Sequence, residues 1–180
     1  MLEKNWLKNV LDQCAALGLR TFPAKGGVPL RKHGEQGVDY KDPSDYDKAD
    51  MVSVKLGDGL ILLDYDGNKD GALSIEELEE ALDLDLVGMP GPVQVNESGD
   101  SIHWLFKVPA GVDGLRNSAI GVWSRVDVLH GSSLMHLKPN KRLDFGNICE
   151  DCPDALIEKL QGGVSAGTTE DSDGLMAAVM

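Results

Sequence analysis

The chain has 180 residues, 42% of them hydrophobic, and 30 acidic against 17 basic side chains give a net charge of −13. That length suits one domain with a short tail and gives enough chain for a sizeable core. The acid excess excludes loose binding of nucleic acid over the whole surface, though not a local basic groove. Three cysteines (Cys14, Cys149, Cys152) exclude a disulfide framework and fit a reducing cytoplasm. Cys149 and Cys152 have Cys-x-x-Cys spacing, which is at most half of a four-ligand zinc site. No signal peptide or membrane-spanning run is evident, so no membrane partner is expected.

In chain order, residues 3–17 carry Trp6, Leu7, Val10, Leu11, Cys14 and Leu17 at helical spacing, and Gly18 is a natural stop. A short strand, Leu19–Phe22, leads into a Gly-, Pro- and Lys/Arg-rich loop over 23–33. In that loop Lys25, Arg31 and Lys32 are candidates for phosphate or template contact. Residues 34–49 are polar and irregular. Met51–Leu56 alternates apolar and polar like a strand, and Gly57-Asp58-Gly59 predicts a tight hairpin turn into the next one.

That next stretch, Gly59 to Asp66, is an apolar run ending in two carboxylates. On a strand Asp64 and Asp66 project from one face and Tyr65 from the other. Two such carboxylates repel unless a cation lies between them, and hard oxygen ligands favour Mg²⁺, Mn²⁺ or Ca²⁺.

Asn68–Gly71 reads as a turn. Leu73–Leu84 reads as a helix with Ser74 as cap and acidic residues in its first turn. After a break over Gly88–Pro92, strands are expected at Val93–Asn96, Ile102–Val108, Ile120–Trp123, Arg125–Leu129 and Leu134–Leu137. On Ile102–Val108, His103 and Leu105 share one face; Ile102, Trp104 and Phe106 share the other. Asp154–Leu160 predicts a last helix. Residues 162–180, rich in Gly, Ser, Thr and acid, read as a flexible tail or linker after a domain at 1–161.

Two motifs compete for Asp66. Asp66-x-Asn68-x-Asp70-Gly71-x-x-Ser74-x-x-Glu77 fits the twelve-residue EF-hand loop, with Glu77 as the bidentate end. An EF-hand needs a helix entering at Asp66, and the glycines at 57 and 59 oppose one. The rival arrangement spreads over three elements: Asp64 and Asp66 at one strand end, His103 on a second strand, Asp127 on a third. Three carboxylates so gathered suit two divalent ions, which clamp the attacking and departing oxygens of a phosphoryl transfer.

The order of these motifs resembles the primase–polymerase branch of the archaeo-eukaryotic primase superfamily. Leu63-Asp64-Tyr65-Asp66 is similar to its hydrophobic-Asp-hydrophobic-Asp motif, Ser101-Ile102-His103 to its small-x-His motif and Val126-Asp127 to its hydrophobic-Asp motif. Phe22-Pro23 with Lys25-Gly26-Gly27 and Pro29-Leu30 resembles its N-terminal loop. The likeness covers roughly residues 15–145. It departs where the family often has Gly-Gly before the His, since here Gly99 is followed by Asp100 and Ser101.

The resemblance implies an α/β (α+β) catalytic domain in which an antiparallel sheet like that of an RNA-recognition motif joins a small N-terminal α/β unit. It implies template-directed nucleotidyl transfer, with primer synthesis in phage or plasmid replication in a bacterial host's cytoplasm. Asp64, Asp66 and Asp127 would hold two Mg²⁺ or Mn²⁺ ions. His103 with Ser101 would contact the incoming NTP or dNTP. Lys107, Arg125, Lys138, Lys25 and Arg31 are further phosphate or template candidates. Single-stranded DNA would be the template. No P-loop is present in the sequence, so a helicase is expected in trans or in a longer chain. The alternatives are a calcium-binding module on residues 66–77 and a non-catalytic nucleotide- or single-strand-binding member of the same fold.

Overall fold

The apolar run before Asp64 is the second half of one sixteen-residue strand, β3 (Met51–Asp66). The structure, a computed structural model, describes residues 2–30, 40–86 and 88–162. The hairpin expected at Gly57–Gly59 does not form. Gly57 adopts φ +66°, a conformation that costs little without a Cβ. Its strand continues, while the register against β7 (Val126–Leu137) jumps from Gly57↔Gly131 to Ile61↔His130. The glycines therefore bend a continuous strand through a bulge where they were expected to reverse it. For the same reason the expected separate strands Arg125–Leu129 and Leu134–Leu137 are one: β7 passes through Gly131, at φ +61°, opposite the bulge.

Around β3 lies one eight-stranded sheet whose ladders are all antiparallel. β1 (Arg20–Lys25) pairs with the first half of β3 and β5 (Ser101–Lys107) with the second, while β7 follows both halves. β2 (Val28–Pro29) folds back on β1, and β6 (Ser118–Trp123) pairs with β7. Beyond β5 come β4 (Gln94–Val95) and β8 (Arg142–Leu143). The sheet curls: the Gln94 side chain on β4 bonds to the backbone of His136 and Lys138 at the far end of β7.

Among the described residues three α-helices cover the sheet's faces. α1 (Lys4–Ala16) starts where Glu3 accepts the N–H groups of Asn5 and Trp6, and it buries Leu7, Val10, Leu11 and Cys14. These pack with Val52, Val54, Leu62, Leu105 and Leu137. α1 thus shares a core with β3, and β1 shares its sheet. The opposite face carries Ile61, Leu63, Trp104, Phe106 and Val128, covered by α2 (Ile75–Leu82) and α3 (Asp154–Gln161). Each fully buried Leu, Ile or Phe contributes about 1.5–3 kcal/mol, so two filled faces stabilise the sheet. The α+β class expected from the sequence is what forms. Among the described residues no helix is long and apolar enough to cross a membrane. Residues 163–180, expected as a tail, lie outside the described residues, as do Arg31 and Lys32.

Candidate active site

Alternation along β3 puts Leu60, Leu62, Asp64 and Asp66 on the face that α1 covers. Apolar cover gives way to carboxylates at Asp64, so the polar site begins where that core ends. The end of β3 is anchored: the Asp66 N–H donates to the Arg125 carbonyl at 3.0 Å, and the Tyr65 hydroxyl donates to the Leu73 carbonyl at 2.8 Å. Gly67 is required there, since a Cβ would lie 2.3 Å from the Tyr65 hydroxyl oxygen.

The register aligns residues from four strands in one row. Asp127 on β7 opposes Asp64, Asp64 opposes His103 on β5, and His103 opposes Gln94 on β4. Directly opposed residues point to the same side of a sheet, with Cβ atoms roughly 4.5–5.5 Å apart. Ser101 opposes Asp66 in the next row. A cleft of about 290 Å³ opens beside this row, lined by Asp64, Asp66, Ser101 and His103 together with Lys69, His136, Lys138 and Lys141; Asp127 and Gln94 are not part of its lining. Larger hollows exist elsewhere, such as one of about 360 Å³ between α1 and Pro43–Asp47, but no carboxylate–imidazole pair lines it.

Within the cleft the two carboxylates and two of the three lysines have side-chain partners. His103 Nε2 lies 3.0 Å from Asp64 Oδ1, Lys69 pairs with Asp66, and Lys141 Nζ donates to Ser101 Oγ at 2.7 Å. Burial pushes the Asp64 carboxyl up, but the hydrogen bond from His103, with the nearby Lys141 and Lys69 charges, outweighs it and holds the group below its ordinary range. Burial and the neighbouring Lys138 lower Lys141, opposed by Asp64, Asp66 and Asp100. His136 is lowered by burial, then by Lys138 and His103, against Asp64. Its Nδ1 lies 2.8 Å from Ser53 Oγ.

The carboxylates suit a hard divalent ion in kind, and the register brings their backbones together. Their side chains are turned to protein partners: Asp64 to His103, Asp66 to Lys69, and Asp127 to the Gly121 N–H at 2.6 Å. As they stand, no three acidic, imidazole or thiol groups among the described residues converge on a point that would hold a metal. Gathering the three carboxylates on one ion would require their side chains to rotate away from these partners.

The other candidates are dispersed. Lys138 lines the cleft. Lys107 lies four residues along β5 from His103, about 13 Å away, and pairs with Glu150 at 2.5 Å. Arg125, at φ +63° in the β6–β7 turn, donates from Nε to the Asp70 carbonyl at 3.2 Å and so braces the loop after Asp66. Lys25 is exposed beside the β1–β2 turn, away from the cleft lining. Lys69, Gln94, His136 and Lys141 escaped the sequence reading. A glutamine between valines in Val93-Gln94-Val95 was the one available hint of a buried polar role.

The twelve-residue calcium-like loop has a strand, β3, where an EF-hand has its entering helix. Glu77 accepts the Ser74 N–H at 2.7 Å and Ser74 Oγ accepts the Glu77 N–H at 3.1 Å, closing a capping box on α2. Comparison with known families and with curated proteins finds no family model and no curated relative that matches this chain.

Proposed function

We propose that this chain is a metal-dependent, template-directed nucleotidyltransferase of the primase–polymerase kind, acting in phage or plasmid DNA replication. One observation carries the proposal. Motifs 39 and 24 residues apart, at Asp64, His103 and Asp127, fall in a single cross-strand row beside a cleft furnished with lysines. A polar network serving stability alone has no need of three lysines around two carboxylates at a sheet end.

In this proposal Asp64 and Asp66 hold Mg²⁺ or Mn²⁺, joined by Asp127 once it leaves the Gly121 N–H. The ions would supply charge neutralisation of the triphosphate and activation of the attacking hydroxyl. Lys69, Lys138 and Lys141 face the phosphates, where fixed positive charge stabilises the charge that builds on phosphoryl oxygens in the transition state. His103 and Ser101 orient the triphosphate, and the apolar floor at Leu62 and Met135 excludes water from beneath it. Single-stranded DNA supplies the template.

The test is incubation of the full chain with single-stranded DNA, labelled NTPs or dNTPs, and Mg²⁺ or Mn²⁺. Template-dependent chains longer than one nucleotide are expected. Folded protein that binds nucleotide yet makes no product under any of these combinations would reduce the activity to binding alone.

A further inference from the structure

Gln94 is fully buried on β4, and hydrogen bonds hold its amide at three points. Its Oε1 accepts the Lys138 N–H at 3.0 Å, its Nε2 donates to the His136 carbonyl at 3.0 Å, and Nε2 lies 2.8 Å from His103 Nδ1. The orientation is over-determined. Turning the amide over would set NH₂ against an N–H and oxygen against a carbonyl, two unsatisfied contacts in a buried site. The atom facing Nδ1 is therefore a donor, so Nδ1 must present its lone pair. The ring proton then resides on Nε2, which lies 3.0 Å from Asp64 Oδ1.

We infer that Gln94 is a positioning residue that fixes His103 as the Nε2–H tautomer, aiming that ring's one donor into the cleft. A proton on Nδ1 would meet the amide hydrogens head on. The chain of contacts runs from the β7 backbone through Gln94 to His103 and Asp64, so the curl of the sheet and the polarity of the imidazole are set by the same side chain. In the free protein the donor is spent on Asp64. If Asp64 turns toward ions, Nε2–H is left facing the cleft, ready for a phosphate oxygen; this last step rests on the proposed nucleotidyl transfer.

The test has two arms. In the first, ¹⁵N-histidine spectra of the full chain, with His103 assigned by its loss in His103→Gln, are expected to show Nε2 protonated and Nδ1 bare. Gln94→Glu replaces the donor with an oxygen, and His103 should then take a proton on Nδ1. A parent ring protonated on Nδ1, or an unchanged tautomer in folded Gln94→Glu, overturns the inference; if that variant does not fold, the parent spectrum decides alone. In the second arm, calorimetry with a non-hydrolysable nucleoside triphosphate and Mg²⁺ should show about tenfold weaker binding in Gln94→Leu, the scale of one hydrogen bond to a charged group. Unchanged affinity overturns the positioning role. A parent that holds the tautomer but binds no nucleotide refutes the proposed function and leaves the tautomer assignment supported.

Discussion

Asp64→Asn separates the charge of this carboxylate from its shape. Asparagine keeps the size of aspartate and an oxygen that can still accept from His103 Nε2 at 3.0 Å. The stability change is the difference between a charge-assisted hydrogen bond and a neutral one, roughly 1 kcal/mol. It is offset by relief of the buried charge and of its repulsion with Asp66 two residues on. Asp64 is a little over a quarter exposed, which trims both effects. The melting temperature should then shift by no more than about 2–4 °C for a chain of this size. Activity should respond on another scale. A carboxamide cannot hold a divalent ion as a carboxylate does, and loss of one preorganised electrostatic element costs about 10²–10³ in rate, near 3–4 kcal/mol of barrier. The assays are labelled-nucleotide incorporation on single-stranded DNA and a thermal melt on the same preparation. Incorporation within about tenfold of the parent, with the fold intact, would refute the metal assignment. A collapse of the melting temperature would instead make Asp64 a structural residue.

The cleft lysines can be told from the dispersed ones: Lys141→Ala should weaken nucleotide binding at least about tenfold, as for a charged hydrogen-bond partner, whereas Lys107→Ala, which breaks only a surface pair with Glu150, should leave the isotherm unchanged. Glu77→Ala should keep incorporation near normal and lower stability by roughly 1 kcal/mol or less through the lost capping box; a large loss of Ca²⁺ affinity in calorimetry would instead favour the calcium loop. His136 has a folded pKa below its ordinary 6.5, so below that value the unfolded chain takes up a proton that the folded one resists. Stability should thus fall as pH drops from about 6.5 toward the lowered folded pKa, and His136→Asn should flatten that part of the denaturation profile.

The carboxylates, the histidine and the elements bearing them were legible because local chemistry decides them. Asp64 and Asp66 follow an apolar run that can only be buried, and His103 alternates with Trp104 in a segment that fills both faces of a sheet. The Ser74 cap needed only its own neighbours. The hairpin failed because Gly57 permits both reversal and bulging, and the choice depends on Gly131, seventy-four residues later, sitting opposite it. Gln94 and Lys141 were hidden for a related reason. What makes them part of the site is the curl that brings β4, beside β5, within hydrogen-bond reach of the end of β7, and the turn after β7 up to Ser101. No periodicity within either segment encodes that approach.

The net charge of −13 and the polyanionic substrate of the proposed function are reconciled by distance. At physiological ionic strength charges beyond about 8 Å are largely screened, so an incoming nucleotide meets the cleft and not the chain's total. Locally Lys69, Lys138 and Lys141 stand against Asp64, Asp66 and Asp100. The balance is near neutral, and it is held by internal pairing: Lys69 with Asp66, His103 with Asp64. A triphosphate alone would gain the lysines but face the carboxylates, and divalent ions alone would gain the carboxylates but face the lysines. Bound together, each satisfies the groups that oppose the other. Under the proposed function nucleotide and ions would therefore enter as one set, while in the free protein Lys69 stays paired with Asp66 and His103 hydrogen-bonded to Asp64.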